Sequence, residues 1–196
     1  MKPVDLYFDY ASPWAYLANE LLPRKLAGCA VTHHPIYLRG LETFAKGMPY
    51  TGGKLAYIAR DLARCAEHEG VVLAPPATFP VDGLHALRAA HVALERSAFE
   101  RYHGRMFRAV WAEQRDVGKK ESVAAILADA IGTSETVALE AMGAQAIKDR
   151  LRVATARAEA RGVFGAPTFF VGDEQFWGHD RFDYVARAAG APSAPM

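Results

Sequence analysis

Strand-forming sequence stands only at the two ends of this chain, with a long run of helical periodicity between. At the start, Val4-Asp5-Leu6-Tyr7-Phe8-Asp9-Tyr10 alternates with period two and is rich in β-formers, so it predicts a strand. Ala11-Ser12-Pro13-Trp14 breaks it. A serine whose hydroxyl can cap a free amide, followed by a proline suited to the first turn, predicts a helix over about Trp14 to Leu26, ended by Gly28. Ala30 to Leu38 predicts a second strand, and strand, helix, strand suits a parallel βαβ unit. At the far end, Thr168–Val171 and Gln175–Trp177 flank the turn Gly172-Asp173-Glu174 as a hairpin. His179-Asp180-Arg181 then opens a last helix to about Ala189, and Ala191–Met196 is expected to be a frayed tail.

From Lys54 to Gly162 the apolar spacing is helical throughout. Leu55, Ile58 and Leu62 fall on one face, as do Leu84, Leu87, His91 and Leu94, and Phe99, Tyr102, Met106 and Val110. Two further helices are expected near residues 122–130 and 134–142, and a long Ala- and Arg-rich one over about 146–161. The clear break is the loop Ala74–Pro80. No repeat of 20 to 50 residues is present. The simplest assembly is an α/β sheet built from both ends of the chain, residues 1–45 with 163–196, around an inserted all-helical domain, 46–162.

The 196 residues carry a net charge of +1, which argues against a nucleic-acid or anionic-membrane partner, and no apolar run approaches a membrane span. Asp5 interrupts any secretory pattern, so a soluble cytoplasmic protein is expected. Cys29 and Cys65 form no C-x-x-C and are expected as reduced thiols, Cys65 as a buried structural one.

Three stretches, FDYASPWAYLA, ARGVFGAPTFFVG and FWGHDRFDYV, together with KLAYIARDLAR and TFPVDGLHALRAA in the middle, resemble the 2-hydroxychromene-2-carboxylate isomerases, relatives of the kappa-class glutathione transferases and DsbA-like proteins. The resemblance runs the length of the chain in order. It implies a thioredoxin-like fold with a helical insertion, glutathione as cofactor and a homodimer. Redox members carry C-x-x-C where this chain has Ser12-Pro13-Trp14-Ala15, so dithiol exchange is not expected.

Ser12 is the candidate catalytic residue. At a helix start it stands among free amides and the positive end of the helix dipole, where its hydroxyl can donate to a thiolate and favour the ionised thiol. The plain alternative is an N-cap. The resemblance makes the Ala166-Pro167 bond cis and gives the backbone of Ala166 to the glutathione cysteinyl unit; an ordinary trans turn is the alternative. It also implies that His179, Asp180 and Arg181 hold the γ-glutamyl end, Asp180 by its charge, although an acid there also complements a helix dipole, and Arg181 reads more as a structural residue. Lys54 stands near the ligands in that family or is an exposed lysine at a helix start. Gly47-Met48 replaces a Gly-Asn pair; a backbone contact from Met48 survives the change and a side-chain contact does not. Trp14, beside Pro13, with Phe79, Trp111 and Trp177, are candidate walls of an aromatic substrate pocket or ordinary core. Arg39, Arg60 and Arg88 are candidates for a substrate carboxylate, with a snorkelled surface arginine the default for Arg88.

The histidines lack metal spacing: His85 and His91 are six apart, and Cys65 with His68 makes only two ligands, so no metal is expected. The resulting reading is a glutathione-dependent isomerase of 2-hydroxychromene-2-carboxylate or a similar unsaturated aromatic keto acid, acting by reversible thiolate addition. A kappa-like transferase conjugating electrophiles, and a non-catalytic peptide-binding thioredoxin relative, stand as alternatives.

Overall fold

The computed structural model describes residues 1–191; the remainder of the expected tail, 192–196, lies outside the described residues. Four strands form one mixed sheet in the order β2-β1-β3-β4, with β1 at Val4–Phe8, β2 at Val31–Pro35, β3 at Thr168–Val171 and β4 at Glu174–Trp177. β1 runs parallel to β2, Val4 opposite Val31, and antiparallel to β3, Leu6 opposite Phe169. β3 and β4 form the expected hairpin, turning at Gly172 with φ +62°, a region that costs little only without a Cβ.

Eight α-helices lie among the described residues: α1 (Pro13–Lys25), α2 (Gly52–Glu69), α3 (Leu84–Glu95), α4 (Phe99–Trp111), α5 (Lys120–Ile131), α6 (Glu135–Gly143), α7 (Gln145–Ala160) and α8 (Phe182–Ala189). One sheet face, through Val4, Leu6, Phe169 and Val171, meets Leu21 and Leu22 of α1 and Phe182 and Val185 of α8. The other, through Tyr7 and Phe170, meets Ile36, Leu41 and Ala158 of α7. Phe8, at the end of β1, and Tyr10, just beyond it, join Tyr16, Leu87, Phe107 and Trp111 in the largest apolar cluster, which ties the inserted helices to the C-terminal end of β1. No single helix among the described residues is long and apolar enough to cross a membrane.

Three boundaries differ from the sequence expectation. β1 stops at Phe8 because Asp9 turns the chain, its carbonyl accepting from the Ser12 amide at 3.0 Å. β2 stops at Pro35: the Tyr37 amide donates to Thr155 Oγ1 at 3.0 Å and the Leu38 amide to Asp9 Oδ2 at 2.8 Å, so neither is left for a ladder. α8 begins at Phe182, not at His179. Gly178 has φ +116° and the Asp180 carboxylate folds back over it, so the chain is still turning there and Arg181 takes the cap position. Cys65 is half-buried rather than buried, and Leu94 of the expected apolar face is 40% exposed.

Candidate active site

Ser12 caps α1 from an extended backbone, φ −90° and ψ 114°, with Pro13 in the first turn. Its Oγ accepts from the Ala15 amide at 3.2 Å and donates to the Ala166 carbonyl at 2.8 Å, and the residue is 5% exposed. The Ala166-Pro167 bond is cis, and Thr168 Oγ1 donates to the Gly165 carbonyl at 2.7 Å, holding that turn against the helix start. Trp14, second in the helix, has an amide with no intrahelical acceptor.

These groups form one wall of a cavity of about 400 Å³. It gathers Ser12, Pro13, Trp14, Met48, Lys54, Phe79, Ala166 and Trp177 from the sequence-derived candidates. Pro167 stands behind Ala166; its carbonyl accepts from the Gly178 amide at 3.1 Å. Lys54 lies in the first turn of α2, capped by Thr51, with Nζ 4.3 Å from the centre of the Tyr50 ring. It makes no ion pair among the described residues. A cation at a helix N-terminus is disfavoured by the dipole, so an anionic ligand would relieve it. Phe79 and Trp177 remain 44% and 50% exposed at this cavity, an apolar surface open to a ligand ring.

Other candidates stand elsewhere. Trp111 is core: it is 1% exposed and its Nε1 donates to the Tyr10 carbonyl at 2.8 Å. Arg88 lies on the α3 face that lines a different cavity, with Arg152 and Thr155 of α7, so it is removed from Ser12. Arg39 pairs with Asp82 at 3.7 Å, and Arg60 is exposed on α2. His179 and Asp180 line a neighbouring cavity of about 430 Å³ with Cys65 and His68. The two cavities adjoin at Trp14, whose ring stacks on His179 at 4.6 Å and 16°. Burial pushes His179 below the usual histidine range, leaving it neutral near pH 7. Arg181 lines neither cavity and pairs with Asp180 at 3.4 Å. Burial, then the carboxylates of Asp61, Asp180 and Glu69, push the Cys65 thiol up, opposite to what a nucleophile needs. No group of three or more metal-ligating side chains is placed to hold an ion among the described residues.

Sequence reasoning missed several residues of the site. Tyr50 and Phe164 lie in aperiodic loops; Phe164 is 44% exposed, its ring 5.1 Å from that of Trp177. Gly165 is needed because an added Cβ would come within 2.8 Å of Trp177 Nε1. Asp9 is 1% exposed, and burial pushes its carboxyl up to about 6 against the opposing pull of the Ala11 and Leu38 amides. The signal for it was an acid at a strand end between aromatics, which marks a buried carboxylate needing donors.

A family model described as a DSBA-like thioredoxin domain matches residues 3–190. The chain is 32% identical to a 2-hydroxychromene-2-carboxylate isomerase of Pseudomonas putida, over 95% of this chain and 94% of that protein. It superposes on a solved 2-hydroxychromene-2-carboxylate isomerase with TM-score 0.80 and 28% identity, covering 95% and 94% of the two chains. It shares its fold with a probable DsbA oxidoreductase of Streptomyces coelicolor, at TM-score 0.76 and 21% identity over 100% and 93%.

Proposed function

Since the chain belongs to the DsbA-like thioredoxin-domain family and to the family of 2-hydroxychromene-2-carboxylate isomerases, and is thus an isomerase-family enzyme, we propose that it isomerises 2-hydroxychromene-2-carboxylate or a similar unsaturated aromatic keto acid with glutathione as cofactor. The observation that carries this reading is the Ser12 hydroxyl, set at a helix start and 2.8 Å from the Ala166 carbonyl, on the wall of an aromatic-lined cavity.

The residues fit a thiol tripeptide. The Trp14 amide is a donor for a thiolate, as is the Ser12 hydroxyl once its single proton turns from the Ala166 carbonyl to the sulfur, which leaves that carbonyl free to accept a peptide N–H. Met48, through its backbone, would serve a carboxylate at one end. His179 and Asp180, across the Trp14 ring, would serve the γ-glutamyl end, where Asp180 offers charge to an ammonium and the neutral His179 offers packing. Glutathione, when bound, supplies a thiolate whose reversible addition to a conjugated carbon leaves a bond free to rotate.

The chain's own part is to prepare that thiolate and hold the acceptor. Hydrogen bonding from Ser12, with the positive end of α1, favours the ionised thiol near neutral pH. Phe79, Phe164 and Trp177 offer ring faces to the aromatic part of the substrate, and Lys54 offers a cation to its carboxylate. The resemblance also supports a homodimer, which sedimentation tests.

The experiment is the ultraviolet thiolate absorbance of bound glutathione followed against pH. A bound thiol titrating well below free glutathione, and returning toward it in Ser12→Ala, is the expected result. Absence of binding, or indifference to Ser12→Ala, sinks the reading in favour of a non-catalytic peptide-binding protein. Recovery of glutathione after turnover separates isomerisation from conjugation by a kappa-like transferase.

A further inference from the structure

Asp9 is a buried carboxylate that the reaction above does not use. Its Oδ1 accepts from the Ala11 amide at 2.9 Å and its Oδ2 from the Leu38 amide at 2.8 Å, while its backbone carbonyl takes the Ser12 amide at 3.0 Å. Ala11, Ser12 and Leu38 all line the Ser12 cavity. A third segment closes on the same point. Gly83, four residues after Phe79 in the chain, approaches so tightly that a Cβ there would lie 2.4 Å from Asp9 Oδ1. One side chain therefore stands where two segments of the cavity wall and the stretch following Phe79 meet.

We propose that Asp9 is the positioning residue of this site: by tying the amides of Ala11 and Leu38 to one carboxylate, it fixes where the Ser12 hydroxyl stands against the rest of the cavity.

Asp9 acts through the backbone and touches no reacting atom, so its role rests on the reading of Ser12 as the donor to a thiolate. The residue type follows from the geometry. Two amides arriving on separate oxygens need an acceptor-only side chain. Asparagine would turn an NH₂ against one of them, and an apolar residue would leave both buried and unsatisfied. A charge without solvent is a costly way to hold two loops, and such departures from local rules concentrate where function fixes the geometry. The charged groups nearest the carboxylate are Asp82, which pushes its titration up, and Arg39, which draws it down. These two are half-exposed and pair with each other at 3.7 Å.

The test compares Asp9→Asn with Asp82→Asn by two readouts. One is hydrogen exchange of the Ala11, Ser12 and Leu38 amides, followed by NMR. The other is the pH titration of the thiolate absorbance of bound glutathione. We expect Asp9→Asn to speed exchange about tenfold or more at Ser12 and at whichever of Ala11 and Leu38 meets the new NH₂, and to move the thiol titration toward that of Ser12→Ala, with Asp82→Asn changing neither. Unchanged exchange overturns the proposal. So does faster exchange with an unmoved thiol titration, which leaves Asp9 a merely structural tie. Should Asp9→Asn fail to fold, Gly83→Ala displaces the carboxylate without removing its charge, and the same two readouts decide. If the native protein binds no glutathione, the functional reading fails by itself, and exchange at the Ser12 amide in Asp9→Asn alone decides the positioning.

Discussion

The hydroxyl of Ser12 donates to the carbonyl of Ala166 across 154 positions of sequence, at 2.8 Å, while accepting the Ala15 amide of its own helix. A single oxygen thus serves as helix cap and as a link between the two ends of the chain.

Ser12→Ala removes a cap worth about 1 kcal/mol and a donor to the glutathione thiolate; losing a hydrogen bond to a charged group, about 1.5–3 kcal/mol, should cost roughly 10- to 100-fold in turnover near neutral pH. Ser134, which caps α6 by accepting the Val137 amide at 3.3 Å, is the control. Ser134→Ala should lower the melting temperature by a similar few degrees and leave turnover unchanged. Equal activity of the two variants would remove Ser12 from the chemistry.

Lys54→Met should raise KM for a carboxylate substrate about tenfold with little change in kcat, because its cation serves binding in ground and transition states alike. The effect should shrink with added salt, as expected for an exposed charge. Steady-state kinetics at two ionic strengths check it.

Arg88→Ala should leave kcat and KM unchanged, since Arg88 lines the cavity between α3 and α7 and not the one at Ser12. A tenfold loss of kcat/KM in a folded variant would contradict that placement.

Acid should destabilise the protein. Burial pushes His33 and His91 down to about 4, and His103, packed against His33 and hydrogen-bonded to Tyr10 at 3.0 Å, well below the usual range. Each binds its proton more readily when unfolded, so stability present above pH 6.5 is lost as pH falls toward 4, by about 3 kcal/mol at most for each of the two whose folded value lies near 4. Asp9 works the other way. Its folded carboxyl, raised to about 6, holds a proton that the unfolded chain releases, so acid between pH 6 and 4 favours the fold through this one group. The three histidines should outweigh it. Guanidinium unfolding at pH 7.5, 6 and 5 should show falling stability, with a flatter profile in His103→Phe.

What the sequence made legible was what local physics decides. The break from β1 into α1 at Ser12-Pro13 is written in adjacent residues, and the helices of the middle are written in their apolar spacing. Ala166-Pro167 stood out by likeness to other chains. Arg88 was misplaced because periodicity gives a helix face without saying which cavity that face meets. Tyr50 and Phe164 escaped because loops carry no period, and Asp9 because its partners, Ala11 and Leu38, converge on it only after the chain has turned twice. The start of α8 came three residues late because Gly178 and Asp180 make a turn with the composition of a helix start.

The pairing of β1 with β3 has a bearing on how the enzyme is born. A ribosome delivers β1, α1, β2 and all six inserted helices before it delivers the strand that completes the centre of the sheet. Nascent chains emerge at roughly 5–20 residues per second. For seconds, therefore, β1 waits with one edge unsatisfied and Ser12 faces nothing. The partner carbonyl is among the last parts to arrive, so a product truncated before residue 166 lacks the acceptor of the Ser12 hydroxyl.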